Sequence, residues 1–321
     1  MKPCELRSNL RPDREMPIRT ATHPLKMIPS NISLQRHETL RSGLLRVINL
    51  LTDSVTDNPS NHSSNGEQDI HEVRTTIKRL RALLRLIRPA IDPKFFNREN
   101  ARLRGAAGLL SFARDTEVAR ETLKTLPVSN QTEQEAVSSV LSSLESRGDV
   151  ANDPEQAMAE VRRRLEQTRR NFHRLELAGT EREILESGLG AVYRQGRKRM
   201  NIAIRRGQDI GFHRWRIRAK NLYYELQFLE SMWPKRLHRL ISHLAELQDN
   251  IGLDHDAAVL RAWLKKSPES FGGDGAVQRV VTCLDSRTRE LREKAVPLGR
   301  KIWRDKPGRF AREVVRHWHK R

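Results

Sequence analysis

Apolar and basic side chains form two parallel patterns along residues 70–91. Apolar residues recur at alternating steps of three and four, which predicts one buried side of an α-helix. One position later, basic or imidazole side chains repeat at the same spacing, about 100° around the helix. Exposed helical faces normally mix both signs of charge, so a nearly all-basic face indicates contact with a polyanion. The apolar positions are Ile70, Val73, Ile77, Leu80, Leu84, Ile87 and Ile91, and the basic positions are His71, Arg74, Lys78, Arg81, Arg85 and Arg88.

The same double pattern recurs after residue 212. Further downstream in each copy, residues 103–123 align with residues 244–264, which pairs Asp115 with Asp256. The interval from the first histidine of the copy to this aspartate is 44 residues in one and 43 in the other. These matches predict an internal duplication, and two copies of a helical unit commonly pack about a pseudo-twofold axis. The basic positions of the second copy are His213, Arg216 and Lys220, spaced as His71, Arg74 and Lys78 are in the first.

The remaining periodicity is helical, and no useful stretch alternates as a strand does, so the chain is predicted to be all-α. Residues 1–30 contain five prolines among charged residues and predict a flexible basic tail. Gly179 is the expected break between a first lobe (residues 31–178) and a second lobe (residues 179–321). In the second lobe, separate helices are predicted at roughly 235–250 and 254–266.

Charge and cysteine usage narrow the class of partner and the compartment. The 321 residues carry a net charge of +20, far more than solubility requires, so the partner is expected to be anionic. Cys4 and Cys283 lie far apart without a CxxC motif, which argues against a disulfide framework or a thiolate zinc site and favours a reducing, cytoplasmic compartment. No run of eighteen apolar residues and no hydrophobic signal region are present, so neither a membrane span nor secretion is expected.

A third basic group precedes the second copy, in a stretch with no acidic residue between Ser187 and Gln208. With this group, the chain resembles the CHAD family, the conserved histidine α-helical domain, over roughly residues 32–318. The family motif HxxRxxx[KR]xx[RL] is matched at 71–81 and again, except at its last position, at 213–223. The family motif YRxxR[KR] is matched by Tyr193, Arg194, Arg197 and Lys198. The motif LGxxRDxxV is matched by Leu110, Ser111, Arg114, Asp115 and Val118, and by Ile251, Gly252, His255, Asp256 and Val259.

Two departures from the family pattern stand out. Ser111 replaces the first glycine, and Tyr223 and Gln227 stand where the first copy has Arg81 and Arg85. The line of basic positions in the second copy, its basic stripe, therefore loses charge after Lys220. Anions are expected to bind more strongly in the first lobe.

The resemblance implies two pseudo-symmetric helical bundles around a basic central channel, and non-catalytic binding of inorganic polyphosphate at or near polyphosphate granules. Some relatives carry a fused CYTH domain, for which this chain has no room. No enzyme activity, cofactor or metal is expected, and the oligomeric state stays open. The polyphosphate-binding residues implied are His71, Arg74, Lys78, Arg81, Arg85, Arg114, Arg194, Arg197, Lys198, His213, Arg216 and Lys220.

The chemistry of these side chains agrees with that implication. Guanidinium groups donate paired hydrogen bonds to phosphate oxygens, and the histidine and arginine of each copy lie in the first turns of a helix, where the dipole favours anions. A carboxylate would repel phosphate, so Asp115 and Asp256 are assigned structural support. Tyr193 and Tyr224 are likewise expected to pack or to orient other groups.

Three other classes of function were weighed against polyphosphate binding. A nucleic-acid binder would also use a charge of +20, but known recognition motifs and base-stacking aromatic residues are scarce. A divalent-metal site would draw on imidazole and carboxylate groups, and the surrounding arginines oppose it. An enzyme is least supported, because no Walker loop or nucleophile elbow is present. The metal alternative would use His71, His213, Asp115, Asp256 and His255.

Overall fold

The computed structural model describes residues 30–56, 66–110, 115–145 and 154–318. Within these ranges every regular element is helical, which confirms the predicted all-α fold. The predicted tail, apart from Ser30, lies outside the described residues. The α-helices are α1 (Leu40–Thr56), α2 (Gly66–Leu86), α3 (Pro93–Gly108), α4 (Asp115–Lys124), α5 (Gln131–Glu145), α6 (Pro154–His173), α7 (Glu181–Arg206), α8 (Asp209–Leu229), α9 (Pro234–Lys266), α10 (Gly273–Ile302) and α11 (Pro307–Trp318). Short 3-10 helices cover Ser30–Ile32, Arg88–Ala90, Glu230–Met232 and Pro268–Phe271.

Helix α7, which leads into the second copy of the pattern, has clear signals at both ends. The Thr180 hydroxyl accepts a hydrogen bond from the backbone N–H of Glu183, and the Glu183 carboxylate accepts one from the N–H of Thr180. These reciprocal bonds satisfy donors that the first turn of a helix leaves open. The helix ends at Gly207, whose φ of 64° is left-handed and suits glycine. The chain then turns directly into α8.

The two helices that carry the repeated pattern, α2 and α8, pack against each other in the main core. The apolar side of α2 is buried as predicted, with Leu80 and Leu84 fully covered. On α8, Trp215 and Leu222 are also fully buried. Helices α1, α3 and α7 contact α2, α6 packs against α1 and α3, and α7 and α9 flank α8. Because both apolar sides face this core, both basic stripes are held at fixed positions beside the α2–α8 contact.

Close approach of α7 to the end of α2 depends on one glycine. A Cβ atom on Gly188 would collide with the backbone carbonyl of Leu86, so a larger residue there would push the two helices apart. The contact fixes the second lobe against the end of the first basic helix.

A second, smaller core joins helices from both predicted lobes. Helices α4 and α5 pack there against the end of α9 and the start of α10. Leu123 and Val140 meet Leu264, Phe271 and Leu284 in this cluster. The two predicted lobes therefore contact each other at this core as well as between α2 and α8.

Two predicted helix boundaries are wrong. Helix α9 runs without interruption from Pro234 to Lys266, through the break expected at 250–254. Glycine inside a helix costs only about 1 kcal/mol, and buried neighbours on α9 outweigh that cost around Gly252. Helix α2 ends at Leu86, before the predicted end at residue 91, and a 3-10 turn containing Pro89 follows. Proline has no backbone N–H to continue the helix.

Candidate anion-binding site

In the second lobe, the basic stripe of α8 meets an imidazole from α9. The Nδ1 atoms of His213 and His255 lie 3.2 Å apart, and their ring centroids lie 4.4 Å apart. Arg216 lies against the same stretch of α9. Its Nη2 atom is 3.7 Å from the position that a Cβ atom on Gly252 would occupy. Lys220 completes a group whose charges act on both histidines. We call His213, Arg216, Lys220 and His255 the second-lobe cluster.

The electrostatic environment of this cluster is strongly cationic. Burial, and then the charges of Arg216, His213 and Lys220, lower the pKa of His255 to about 4. Burial and the same two cations, with Arg214, also lower the pKa of His213. Both imidazoles are therefore neutral at pH 7. An anion bound here would oppose the cations and raise the affinity of the pair for a proton.

In the first lobe, the corresponding arginine makes a corresponding contact. Arg74 Nη1 donates a hydrogen bond of 2.6 Å to the carbonyl of Leu110, just beyond the end of α3. The sequence alignment pairs Leu110 with Ile251, the residue before the glycine that Arg216 crosses. Each basic helix thus sends the arginine of its motif to the same aligned segment. His71 lies exposed nearby on α2 and Lys78 is partly buried.

Two of the predicted residues in the first lobe fall at the edge of what the structure describes. Arg114 lies outside the described residues. Asp115 begins α4, and its side chain is not among those described. Their proposed roles remain predictions.

Between the two lobes, five arginines from four helices lie close enough for neighbouring charges to interact. Arg81 Nε donates to the amide oxygen of Asn100 at 3.2 Å, and Arg85 Nη1 donates to the carbonyl of Arg81 at 2.7 Å. Burial, and then the charges of Arg81 and Arg218, lower the pKa of Arg85 to about 10. We call this group the arginine row, which consists of Arg104 on α3, Arg81 and Arg85 on α2, Arg218 on α8 and Arg199 on α7.

The outer members of the row extend it onto flanking helices. Burial lowers the pKa of Arg81, as does the charge of Arg104 on α3. Burial and the charge of Arg199 on α7 likewise lower the pKa of Arg218. Of these, Arg199 belongs to the acid-free stretch noted in the sequence, whereas Arg104 and Arg218 lie outside both stripes. Periodicity along one helix therefore could not have identified them.

One carboxyl group lies buried beside the arginine row, where burial opposes the negative charge that would compensate the arginines. Glu225 is fully buried on α8, and neither of its oxygens accepts a hydrogen bond from the described residues. Burial raises the pKa of Glu225 well above its usual value, although Arg85 acts in the opposite direction. Burial therefore disfavours the charged form of Glu225 that would neutralise Arg85.

In the basic group near residue 194, some side chains pack against other parts of the fold and others are exposed. The Tyr193 hydroxyl is buried, donates to the carbonyl of Ile302 at 2.8 Å and accepts from the N–H of Asp305 at 3.2 Å. Arg197 Nη1 donates to the carbonyl of Asp305 at 3.2 Å. Tyr193 and Arg197 thus hold the connection between α10 and α11. Arg194 and Lys198 are exposed on α7.

The remaining predicted support residues have different surroundings. Burial raises the pKa of Tyr224 to about 12, and its ring packs edge-on against Tyr223 beside Arg79. Asp256 is partly buried on α9. The carboxylate nearby that forms a buried ion pair is Asp254, which accepts from Arg292 Nε at 2.7 Å. The sequence did not identify Asp254, because Asp254 and Asp256 lie on the same helix and differ only in the side of the helix that they face.

Two observations bear on the alternative functions. Across the described ranges, no three His, Cys, Asp or Glu side chains are grouped so that they could hold a metal ion. No helix in the same ranges is long and apolar enough to cross a membrane.

The described part of the chain is a bundle of helices with grouped cationic side chains. The family model of the CHAD domain matches residues 48–265, more than half of the 321 residues, and the chain belongs to the CHAD family. CHAD domains are helical binding domains associated with polyphosphate in general, and they are not a known catalytic family. No curated protein matches the chain.

Proposed function

We propose that this CHAD protein binds inorganic polyphosphate without catalysis, through the arginine row and the basic groups on either side of it. The observation that carries this proposal is the arginine row itself. Burial lowers the pKa of Arg81, Arg85 and Arg218, and the charge of at least one neighbouring arginine adds to each shift, so the grouped cations repel one another. A bound polyanion would remove this repulsion. The site is therefore arranged for a ligand with several negative charges in sequence.

Polyphosphate matches the row in charge and in shape. It is a flexible chain with about one negative charge per internal phosphate, and its oxygens accept paired hydrogen bonds from guanidinium. The row passes from α3 through α2 and α8 to α7, so a linear ligand can contact each arginine in turn. Arg74 in the first lobe and the second-lobe cluster supply further cationic groups on the same two helices, α2 and α8. Together these groups form the basic channel that we propose between the two duplicated lobes.

The composition of the row supports binding without a chemical step. Its members are permanent cations, and the nearby carboxyl of Glu225 is fully buried, which raises its pKa. A carboxyl that is buried away from the ligand cannot serve as a general base. We further propose that the protein acts in the cytoplasm and attaches to, or organises, polyphosphate granules, since long chains offer many equivalent sites.

The test compares two double variants that remove the same charge. The first is Arg85→Gln with Arg218→Gln, in the row. The matched control is Arg163→Gln with Arg182→Gln, two exposed arginines that each pair with a glutamate on their own helix. Titration calorimetry with polyphosphate should show at least about 100-fold weaker binding for the row variant, because two charged hydrogen-bond donors are lost. The control should bind as the wild type does. Equal weakening of both variants would leave only a general effect of net charge and would overturn the proposal.

A further inference from the structure

We propose that His213 and His255 act as a pair that takes up one proton when phosphate binds in the second lobe, which couples binding there to pH. This inference rests on the proposed function, because it concerns the same ligand. It adds a regulatory property that belongs to one lobe and not to the other. The argument uses the facing atoms, the charges around them and the residue that occupies the aligned position in the first lobe.

The facing nitrogen atoms limit how many protons the pair can hold. The two Nδ1 atoms lie at hydrogen-bonding distance, 3.2 Å, so one must donate and the other must accept. In the neutral pair, the donor ring has a free lone pair on Nε2, and the acceptor ring carries its proton on Nε2. One added proton goes to Nε2 of the donor ring. A second would place two N–H groups against each other. The pair therefore accepts one proton and then presents two Nε2–H donors.

The charges around the pair keep this extra proton away while the site is empty. From α8, the charges of Arg214, Arg216 and Lys220 act on the histidines. From α10, Arg292 is already held by carboxylates of Asp254 and Asp209. On α9 itself, Asp256 follows His255, and on α4, which also contacts α9, Glu117 pairs with Arg120. Cations thus dominate the immediate surroundings, in agreement with the lowered pKa of both imidazoles.

A phosphate group bound to Arg216 and Lys220 would reverse this balance. Negative charge beside the pair favours the imidazolium form, so the bound state has the higher pKa. By linkage, affinity is then greatest at low pH and falls as pH rises through the pKa of the bound state. For one proton, the dissociation constant changes by at most about tenfold per pH unit.

The first lobe provides the contrast. The sequence pairs His255 with Arg114, which carries its charge at any working pH. The substitution His255→Arg therefore gives the second lobe the residue of the first. We expect this variant to bind phosphate without taking up a proton.

The test is titration calorimetry of the full chain with tripolyphosphate at pH 6.5, after treatment with EDTA. Repeating each titration in buffers of different ionisation enthalpy gives the number of protons taken up. Wild type should take up as much as one proton more than His255→Arg or His255→Gln. His238→Gln is the matched control, since that histidine is exposed and pairs with Glu230 away from the cluster. It should take up as many protons as the wild type. At pH 7.5, His255→Arg should bind at least as tightly as the wild type.

The outcomes separate this inference from the proposed function. If wild type binds tripolyphosphate and takes up no more protons than His255→Arg, the paired-histidine inference is wrong and the proposed function stands. If wild type binds no polyphosphate at any pH, both fail. A proton count that changes when EDTA is omitted would assign the pair to a metal and overturn the inference. Nitrogen NMR of the histidine side chains without ligand gives a second check that needs no variant. Independent protonation of two imidazoles above pH 6.5 would contradict a shared proton.

Discussion

Two arginine clusters in this protein differ in whether carboxylates accompany them. In the paired cluster, Arg292 donates to Asp254 and Asp209, and Arg261 donates to Asp209 and Asp285. In the arginine row, none of the five members forms an ion pair with a carboxylate of the described residues. Both clusters lie on long helices beside well-packed cores. The two clusters therefore differ in their carboxylates and not in their arginines.

The pKa shifts of the two clusters run in opposite directions. Burial would lower the pKa of Arg261, but hydrogen bonds and charge from Asp209 raise it. Burial would raise the pKa of Asp209, yet Arg292 and Arg261 lower it. In the row, burial and neighbouring arginines both lower the pKa of Arg85. In the paired cluster, Arg261 and Asp209 stabilise each other's charge, whereas no carboxylate of the described residues forms an ion pair with the row.

The largest effect should come from breaking the paired cluster. Arg292→Ala would leave the Asp254 carboxylate, only 2% exposed, without its partner. Removing one partner of a buried ion pair costs about 3–5 kcal/mol, so the free energy of unfolding should fall by about that amount. Urea unfolding followed by circular dichroism measures it. Arg85→Ala is the contrasting variant, and it should change stability far less because it relieves repulsion. Similar losses for both variants would erase the distinction between the clusters.

A smaller effect tests whether Glu225 compensates the row. Its folded-state pKa is raised, so it contributes full stability below the pKa of the unfolded chain and loses that contribution as pH rises toward the folded-state pKa. The loss amounts to at most about 1.4 kcal/mol per pH unit. Glu225→Gln cannot ionise and should avoid this loss. It should match the wild type near pH 4 and exceed it in stability at pH 7, as measured by urea unfolding at both pH values. A variant less stable than wild type at pH 7 would mean that Glu225 is ionised and pairs with Arg85.

The sequence predicted the parts of the site that lie along one helix. The spacing of Arg74 and Arg216 predicted matching positions on two amphipathic helices, and the structure shows that both reach aligned segments, one just beyond α3 and one in α9. Periodicity depends only on the residues of one helix. It predicts the structure well because the apolar side of the helix is the side that packs into the core. The same reasoning identified the apolar side of α2, including Leu80.

The parts that depend on several helices could not be predicted in this way. Arg104 and Arg218 join the row only because α3, α2 and α8 meet, and no single-helix pattern marks them. The pairing of His213 with His255 likewise needs the packing of α8 on α9. The continuity of α9 past Gly252 was missed for the same reason, since packing outweighs the weak preference of one glycine.

The most direct test of the central claim compares three polyanions across a salt series. Polyphosphates of graded length, heparin and duplex DNA would be titrated against the wild type at equal charge concentration. If the row, Arg74 and the second-lobe cluster bind one linear chain, affinity should rise steeply with length from tripolyphosphate to a polyphosphate that spans both lobes. Beyond that length the affinity should level off. The logarithm of affinity should fall linearly with that of salt concentration. Polyphosphate should bind more tightly than heparin or DNA at every salt concentration. Equal affinities for the three polyanions, or no dependence on polyphosphate length, would contradict the account and leave a general basic surface.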